Sequence, residues 1–355
     1  MPARGDRRGR GQGPGRRRPG RGGTQGPREV LTVTVEAIAS QGDGVAHGAD
    51  GRKLFISFTA PGDVVEAAVG ASRGDGFEAS VLERLADGRR QEPFCRHFGT
   101  CGGCAVQHLA PADYREWKRG ILVRALAQRG LDVPVADLIA VPRDSRRRVT
   151  FQAAKAGARL SFGFAERRGH GIVDIDACPL LVRPLNDVIS PARALLADLL
   201  AGGEKARLAV QWVDGPAGPG LDVVLERDRE PDLAAREALA AFAEKAGAAR
   251  IAWQGAGGPP EPVAQRAPVR AAFGRAGTDL PPGAFLQPTA EGEAALRDLV
   301  VRGAQGARRI AELFAGAGTF TFALAGIARV DAVDGDAAAV AALSAAAGRG
   351  GWAER

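Results

Sequence analysis

The sequence predicts a multidomain chain: a small OB-like β-barrel, a central α+β domain with a cysteine-rich loop, and the start of a Rossmann-like α/β domain. Three observations predict it. Residues 29–86 alternate short apolar and β-branched runs with glycine and proline turns. Three of the four cysteines crowd into CRHFGTCGGC, Cys95 to Cys104. Near the end, an apolar run finishing at Leu313-Phe314 meets Gly316-Ala317-Gly318, and a second run finishes at Asp334. At 355 residues the chain can bury two or three separate cores.

Charge is unevenly spread. Residues 1–28 hold nine Arg against Asp6 alone, a net +8, whereas the whole chain is +7. That arm has no Val, Leu, Ile or Phe, so it cannot bury a core and is expected to be a disordered basic tail. Its RGG-like repeats suit salt-sensitive, unspecific phosphate contacts, and equally a solubilising role. No apolar run follows the arginines as in a secretory signal, and no stretch reaches membrane-spanning length, so a cytoplasmic protein is expected. With 43 Arg to five Lys and abundant Ala and Gly, composition is biased, and glycine-rich matches carry less weight singly.

Within residues 29–86, VLTVTVEAI, GVAHG, KLFISF, VVEAAV and FEASVLERL read as five strands. Gly42-Asp43-Gly44, Asp50-Gly51 and Pro61-Gly62-Asp63 separate them. Five such strands suit an OB-like barrel, a fold used for oligonucleotides, although a barrel alone does not fix function.

Residues 87–275 form the expected central domain. Its cysteines follow C-x5-C-x2-C, with Cys178-Pro179 far downstream. A reducing compartment disfavours disulfides. A structural zinc site usually brings two close CxxC pairs, whereas a three-plus-one split and a Pro after the lone Cys suit a four-thiolate iron–sulfur cluster. Zinc stays open as the second choice. If all four sulfurs hold metal, none is left as a nucleophile. His97 and His108 nearby are expected to be structural hydrogen-bonders.

The stretch 111–129 predicts an amphipathic helix ended by Gly130, with Tyr114, Trp117, Ile121 and Leu122 on a core-facing stripe. Beyond it, RRRVTFQA, ARLSFGFAE, GIVDIDAC, ARLAVQWV, LDVVLE and ARIAWQG read as strands, with helices near 182–201 and 232–246. Arg146, Arg147 and Arg148 read as a solvated charge run or as phosphate contacts.

Residues 276–355 contain the βαβ start. The glycines of Gly316-Ala317-Gly318 let a ligand approach the backbone, and an acid at the second strand's tip, Asp334, can take both ribose hydroxyls. The third glycine of a dinucleotide fingerprint falls on Thr321, so S-adenosylmethionine, with a ribose and no phosphates, fits better.

In this order, CRHFGTCGGCAVQHL, RRRVTFQ, LSFGFAER, DACPL, GAFLQP, ELFAGAGTF and AVDGD resemble the RNA uracil-C5 methyltransferase family, in its TRAM-containing branch acting on 23S ribosomal RNA. The resemblance runs from about residue 29 to the end. It implies a TRAM domain over 29–86 and a [4Fe–4S] cluster on Cys95, Cys101, Cys104 and Cys178. It implies a class I methyltransferase domain whose S-adenosylmethionine site includes Gln287, Phe314, Gly316, Gly318, Thr319 and Asp334. Thr319 stands where members often have Asn, and Asp334 where many have Glu. The implied reaction adds a cysteine thiolate to uracil C6, lets C5 take the methyl group, and removes the C5 proton with a carboxylate. The RNA base is splayed out to reach the pocket.

The resemblance also places an Asp-Pro-Pro loop, the nucleophilic cysteine and the proton-accepting glutamate after the second strand. None of them occurs in this sequence, so the expectation is an incomplete methyltransferase domain and an inactive chain. The competing classes are a non-catalytic RNA-binding iron–sulfur protein and an electron-transfer iron–sulfur protein. The latter leaves Gly316, Gly318 and Asp334 unexplained. No obligate protein partner is inferred.

Overall fold

The structure, a computed structural model, describes residues 29–352. The basic tail expected over 1–28 lies outside the described residues.

The N-terminal unit has six strands, β1 (Val30–Thr34), β2 (Ala37–Ile38), β3 (Gly44–His47), β4 (Lys53–Ile56), β5 (Val64–Arg73) and β6 (Gly76–Ala86). The sheet runs β1-β5-β6-β4-β3-β2, antiparallel except for β4 with β6. Its end strands, β1 and β2, are two halves of one run broken at Val35-Glu36, so the run bonds to β5 on one side and β3 on the other. That connection closes the sheet around Val33, Val35, Leu54, Ile56, Val65 and Ala67. The single run expected over residues 30–38 is therefore two strands, because Val35 bonds Asp63 while Glu36 turns to Val45.

Helix α1 (Pro111–Ala127) ends as expected. Gly130, at φ 72°, donates to Ala127, and the Leu131 N–H reaches back to Leu126. Its stripe is a correction: α1 buries no residue, and Leu122 is 50% exposed. Tyr114 and Trp117 are half-buried against Ile38, Ala60 and Leu109, and Trp117 Nε1 donates to the Ala39 carbonyl at 2.8 Å. The aromatic face docks the barrel and leaves the rest of the helix in solvent.

The central sheet contains β7 (Arg148–Ala156), β8 (Arg159–Ala165), β9 (Ile172–Asp174), β10 (Lys205–Val213), β11 (Gly220–Glu226), β12 (Ala248–Gln254) and β13 (Glu261–Gln265). Their order is β13-β12-β11-β10-β7-β8-β9, and only β11 and β12 are parallel. Helices α2 (Arg183–Asp187), α3 (Ile189–Leu199) and α4 (Leu233–Lys245) accompany it, α4 being the β11–β12 crossover. Asp232 caps α4 by accepting from the Ala235 N–H at 2.9 Å. The core holds Phe151, Phe162, Leu196, Leu208, Val223 and Ile251. Strands β11 and β12 are buried on both faces, and Val213 of β10 and Ala249 of β12 also belong to the next core.

That next core starts in a hairpin that no sequence motif marks, β14 (Arg270–Phe273) with β15 (Ala276–Asp279). The hairpin straddles position 275 and packs with Ala315, Ala317, Phe322 and Leu343. Helix α5 (Ala290–Gly303), β16 (Arg309–Leu313), α6 (Thr321–Ala325), β17 (Arg329–Val333) and α7 (Ala337–Arg349) complete the described chain. β16 and β17 pair in parallel, as the βαβ reading requires.

Candidate cofactor turn and cysteine pocket

The carboxyl ends of β16 and β17 meet at one turn. The Gly316 N–H donates to Asp334 Oδ2 at 2.7 Å, and the Asp336 N–H donates to Asp334 Oδ1 at 2.8 Å. Backbone hydrogen bonds from Asp336 and then Gly316 hold the Asp334 carboxyl below its ordinary value, so it is an anion at neutral pH. Gly316 and Gly318 have φ of 56° and 104°, angles that glycine adopts freely. Phe314 has φ 60° and is 90% exposed, an apolar ring held in a strained conformation beside the turn. Thr319 is half-buried just before α6. The structure thus brings Phe314, Gly316, Gly318, Thr319 and Asp334 to one strand end.

Gln287 lies on the separate loop leading into α5, and the arginine run explains how that loop is held. Arg148 Nη1 donates to the Leu286 carbonyl, Arg147 Nε to the Gln287 carbonyl and the Arg147 N–H to the Pro288 carbonyl. Arg147 also pairs with the buried Glu293 at 2.6 Å. Arg147 and Arg148 therefore staple the loop to β7 and do not form a solvated run; Arg146 lines the cysteine pocket described below.

Glu312 has a role that its motif does not advertise. It is buried on β16 and accepts from the Thr321 hydroxyl at 2.7 Å, fixing the start of α6 under the turn. Burial pushes its carboxyl above the ordinary value, with Thr321 opposing. An acid inside the apolar run RIAELF is the one signal of it in the sequence.

Cys95, Cys101, Cys104 and Cys178 are all free and half-buried, and they line one cavity of about 290 Å³. Local bonds aim each segment. The Cys95 N–H donates to Gln107 Oε1, and the Gly103 N–H points at Cys101 Sγ at 3.4 Å. The Asn186 side chain accepts from the Cys178 N–H at 2.8 Å and donates to the carbonyls of Cys178 and Leu181. Gly102 has no room for a side chain: its N–H bonds Ala165, and a Cβ would sit 2.9 Å from that carbonyl oxygen. Burial pushes the thiols of Cys104 and Cys178 up, and the neighbouring cysteines add to it. Among the described residues, no group of three or more His, Cys, Asp or Glu stands close enough to hold a single metal ion.

The cysteine loop is also the seat of the barrel. Phe98 packs edge-on against Phe58 at 5.3 Å, and buried His108 Nε2 lies 3.0 Å from the Thr59 carbonyl, to which it donates. Burial depresses the His108 pKa, with Thr59 partly opposing. The unfolded chain therefore binds the extra proton first, near the ordinary 6.5, and stability is lost as pH falls below that value. In denaturant titrations, His108→Asn is expected to flatten the slope of stability as pH falls below 6.5. An unchanged slope would assign the loss elsewhere.

No helix among the described residues is long and apolar enough to cross a membrane. Residues 26–79 match the TRAM domain family. The chain is 38% identical over 312 residues to a protein of Brucella suis named as an RNA methyltransferase, covering 88% of this chain and 72% of that one. A Caulobacter vibrioides protein of the same description is 38% identical over 325 residues, 89% of this chain and 75% of its own. The 23S rRNA (uracil(1939)-C(5))-methyltransferase RlmD of Halomonas elongata is 32% identical over 348 residues, 92% of this chain and 70% of that enzyme. Among solved structures, the Pyrococcus abyssi tRNA (uracil-54, C5)-methyltransferase, in complex with S-adenosyl-L-homocysteine, has a TM-score of 0.65 at 18% identity. It covers 90% of this chain and 77% of that one, and the fold is shared. By its TRAM unit and its identity to these enzymes, the chain belongs to the RNA uracil-C5 methyltransferase family.

Proposed function

We propose that the chain serves S-adenosylmethionine-dependent methylation of uridine C5 in RNA, with 23S ribosomal RNA as the substrate. The observation that carries this reading is the turn in which Asp334 meets the Gly316 N–H beside the exposed Phe314 ring. An anionic carboxylate at a strand tip accepts from both ribose hydroxyls, and a positive-φ glycine pair lets the ligand lie against the backbone. Phe314 flanks the ligand, Thr319 adds a hydroxyl at the turn, and Gln287 serves its methionine end. RNA as substrate is supported by the TRAM match, and 23S rRNA by the activity for which the Halomonas elongata enzyme is named.

The four cysteines fit a [4Fe–4S] cluster. A single zinc ion with Zn–S bonds of about 2.3 Å would need its sulfurs about 3.8 Å apart. Four thiols that line one cavity of about 290 Å³, three from one loop and one from far along the chain, suit a polynuclear group. Bound there, the cluster supplies iron–thiolate bonds that tie loop 95–104 to residue 178. These four are all the cysteines of the 355 residues, so once they hold a cluster none of them remains to add to uracil C6.

Calorimetric titration tests the cofactor reading. The chain is expected to bind S-adenosylmethionine, and Asp334→Ala to weaken binding by about 10- to 100-fold, the loss of a charge-assisted hydrogen-bond pair. Absence of binding by the unaltered chain would overturn the reading.

A further inference from the structure

A groove of about 910 Å³ opens between the barrel and the loop that follows β8, lined by Phe58, Gly70, Glu78, Arg84, Arg167 and Arg168 among others. Four observations converge on it. First, guanidinium exceeds carboxylate behind one wall: Arg73, Arg167 and Arg168 all converge on Asp43, at 2.6, 3.3 and 3.2 Å. Glu78 is the one acid on the lining.

Second, the groove concentrates backbone strain. Among the described residues only Phe58, Arg168 and Phe314 are non-glycine at positive φ. Phe314 stands at the proposed cofactor turn; the other two line this groove at φ 63° and 59°. Arg168 precedes Gly169 in the stretch RRGHG, so a glycine at 168 would meet the same turn without strain. A side chain kept at such a position points to a use for that side chain.

Third, β5 and β6 lose register between Val69 and Ser72, leaving Gly70 and Ala71 as a bulge on the groove floor. Fourth, two arginines hold the walls apart. Arg167 stacks on the Phe58 ring at 4.5 Å, and Arg84 Nη2 donates to the Phe58 carbonyl at 3.3 Å while its Nε faces Asp63 at 3.4 Å and Asp87 at 3.7 Å. Arg168 differs: its side chain is 50% exposed, and Asp43 keeps two other partners.

We propose that this groove binds the phosphodiester backbone of a single-stranded segment of the RNA substrate, with Arg168 as the principal phosphate contact. The proposal rests on the reading of the chain as RNA-directed. Cationic grooves with fixed walls track a single strand through its phosphates, and such contacts carry strong salt dependence.

Fluorescence anisotropy with a labelled, uridine-rich single-stranded RNA, repeated across salt concentrations, tests it. Arg168→Gly is expected to weaken binding about fivefold to tenfold and to lower the salt slope by roughly 0.7, the share of a single neutralised phosphate. The same variant relieves the strained φ but takes one guanidinium from buried Asp43, so its melting temperature is expected to shift little, and Arg168→Lys, which keeps the charge there, controls for folding. Arg168→Lys keeps most of the affinity. If the unaltered chain binds the RNA and Arg168→Gly matches it in affinity and slope, the groove is not the site. An RNA duplex that competes equally well sinks the single-strand assignment. An unaltered chain that binds no RNA removes the functional reading along with the groove.

Discussion

Replacing Asp43 with alanine is expected to release the barrel from the central domain. Its carboxylate is 1% exposed and faces Arg73, Arg167, Arg168 and the Ser57 hydroxyl. Burial opposes the charge, but hydrogen bonds from Arg73 and Ser57 and the Arg168 charge hold the carboxyl below its ordinary value. Two of those partners come from the far side of the interface, so the acid is the ionic pivot between the barrel and the β8 loop. Removing it leaves Arg167 beside the cysteine loop with no counter-charge. Breaking a buried pair costs about 3–5 kcal/mol; the half-exposed Arg168 can turn to water, which puts the cost here at about 3 kcal/mol. Limited proteolysis is expected to cut the linker between Ala86 and Cys95 much faster in Asp43→Ala. Equal cleavage rates would mean that Phe98, His108 and Trp117 hold the barrel alone.

Much of this fold is legible in the sequence, because the signals there are local. Turn glycines and alternating apolar residues mark the barrel strands, and Gly130 marks the end of α1. The Gly316-Ala317-Gly318 turn and the parallel β16–β17 pair follow from one short stretch. What escaped depends on partners far along the chain. Asp43 finds Arg167 across 124 positions, and Arg147 finds Gln287 across 140, so a turn residue and a charge run gave no hint of their roles. The stripe on α1 failed for a different reason: periodicity reports which residues share a face, and only the docked barrel decides how much of that face is covered. The hairpin at 270–279 carries charged and glycine residues in runs of four, too short for alternation to speak.

Cys178→Ser is expected to abolish metal loading. Chain purified without air should be brown and hold about four irons and four acid-labile sulfides. Cys178 is the sole proposed ligand from outside the loop, and its backbone is fixed on both sides by Asn186. Serine is a much poorer iron ligand than a thiolate, and three cysteines in one ten-residue loop leave the fourth corner without a sulfur. The effect should reach the barrel, because loop 95–108 carries Phe98 and His108, which contact Phe58 and Thr59. Chelating the metal from the unaltered chain should therefore reproduce part of the proteolytic exposure expected of Asp43→Ala, and Cys178→Ser should show it without chelator. A chain that loads zinc and no iron, or a Cys178→Ser variant that keeps its full iron and sulfide, would refute the cluster assignment.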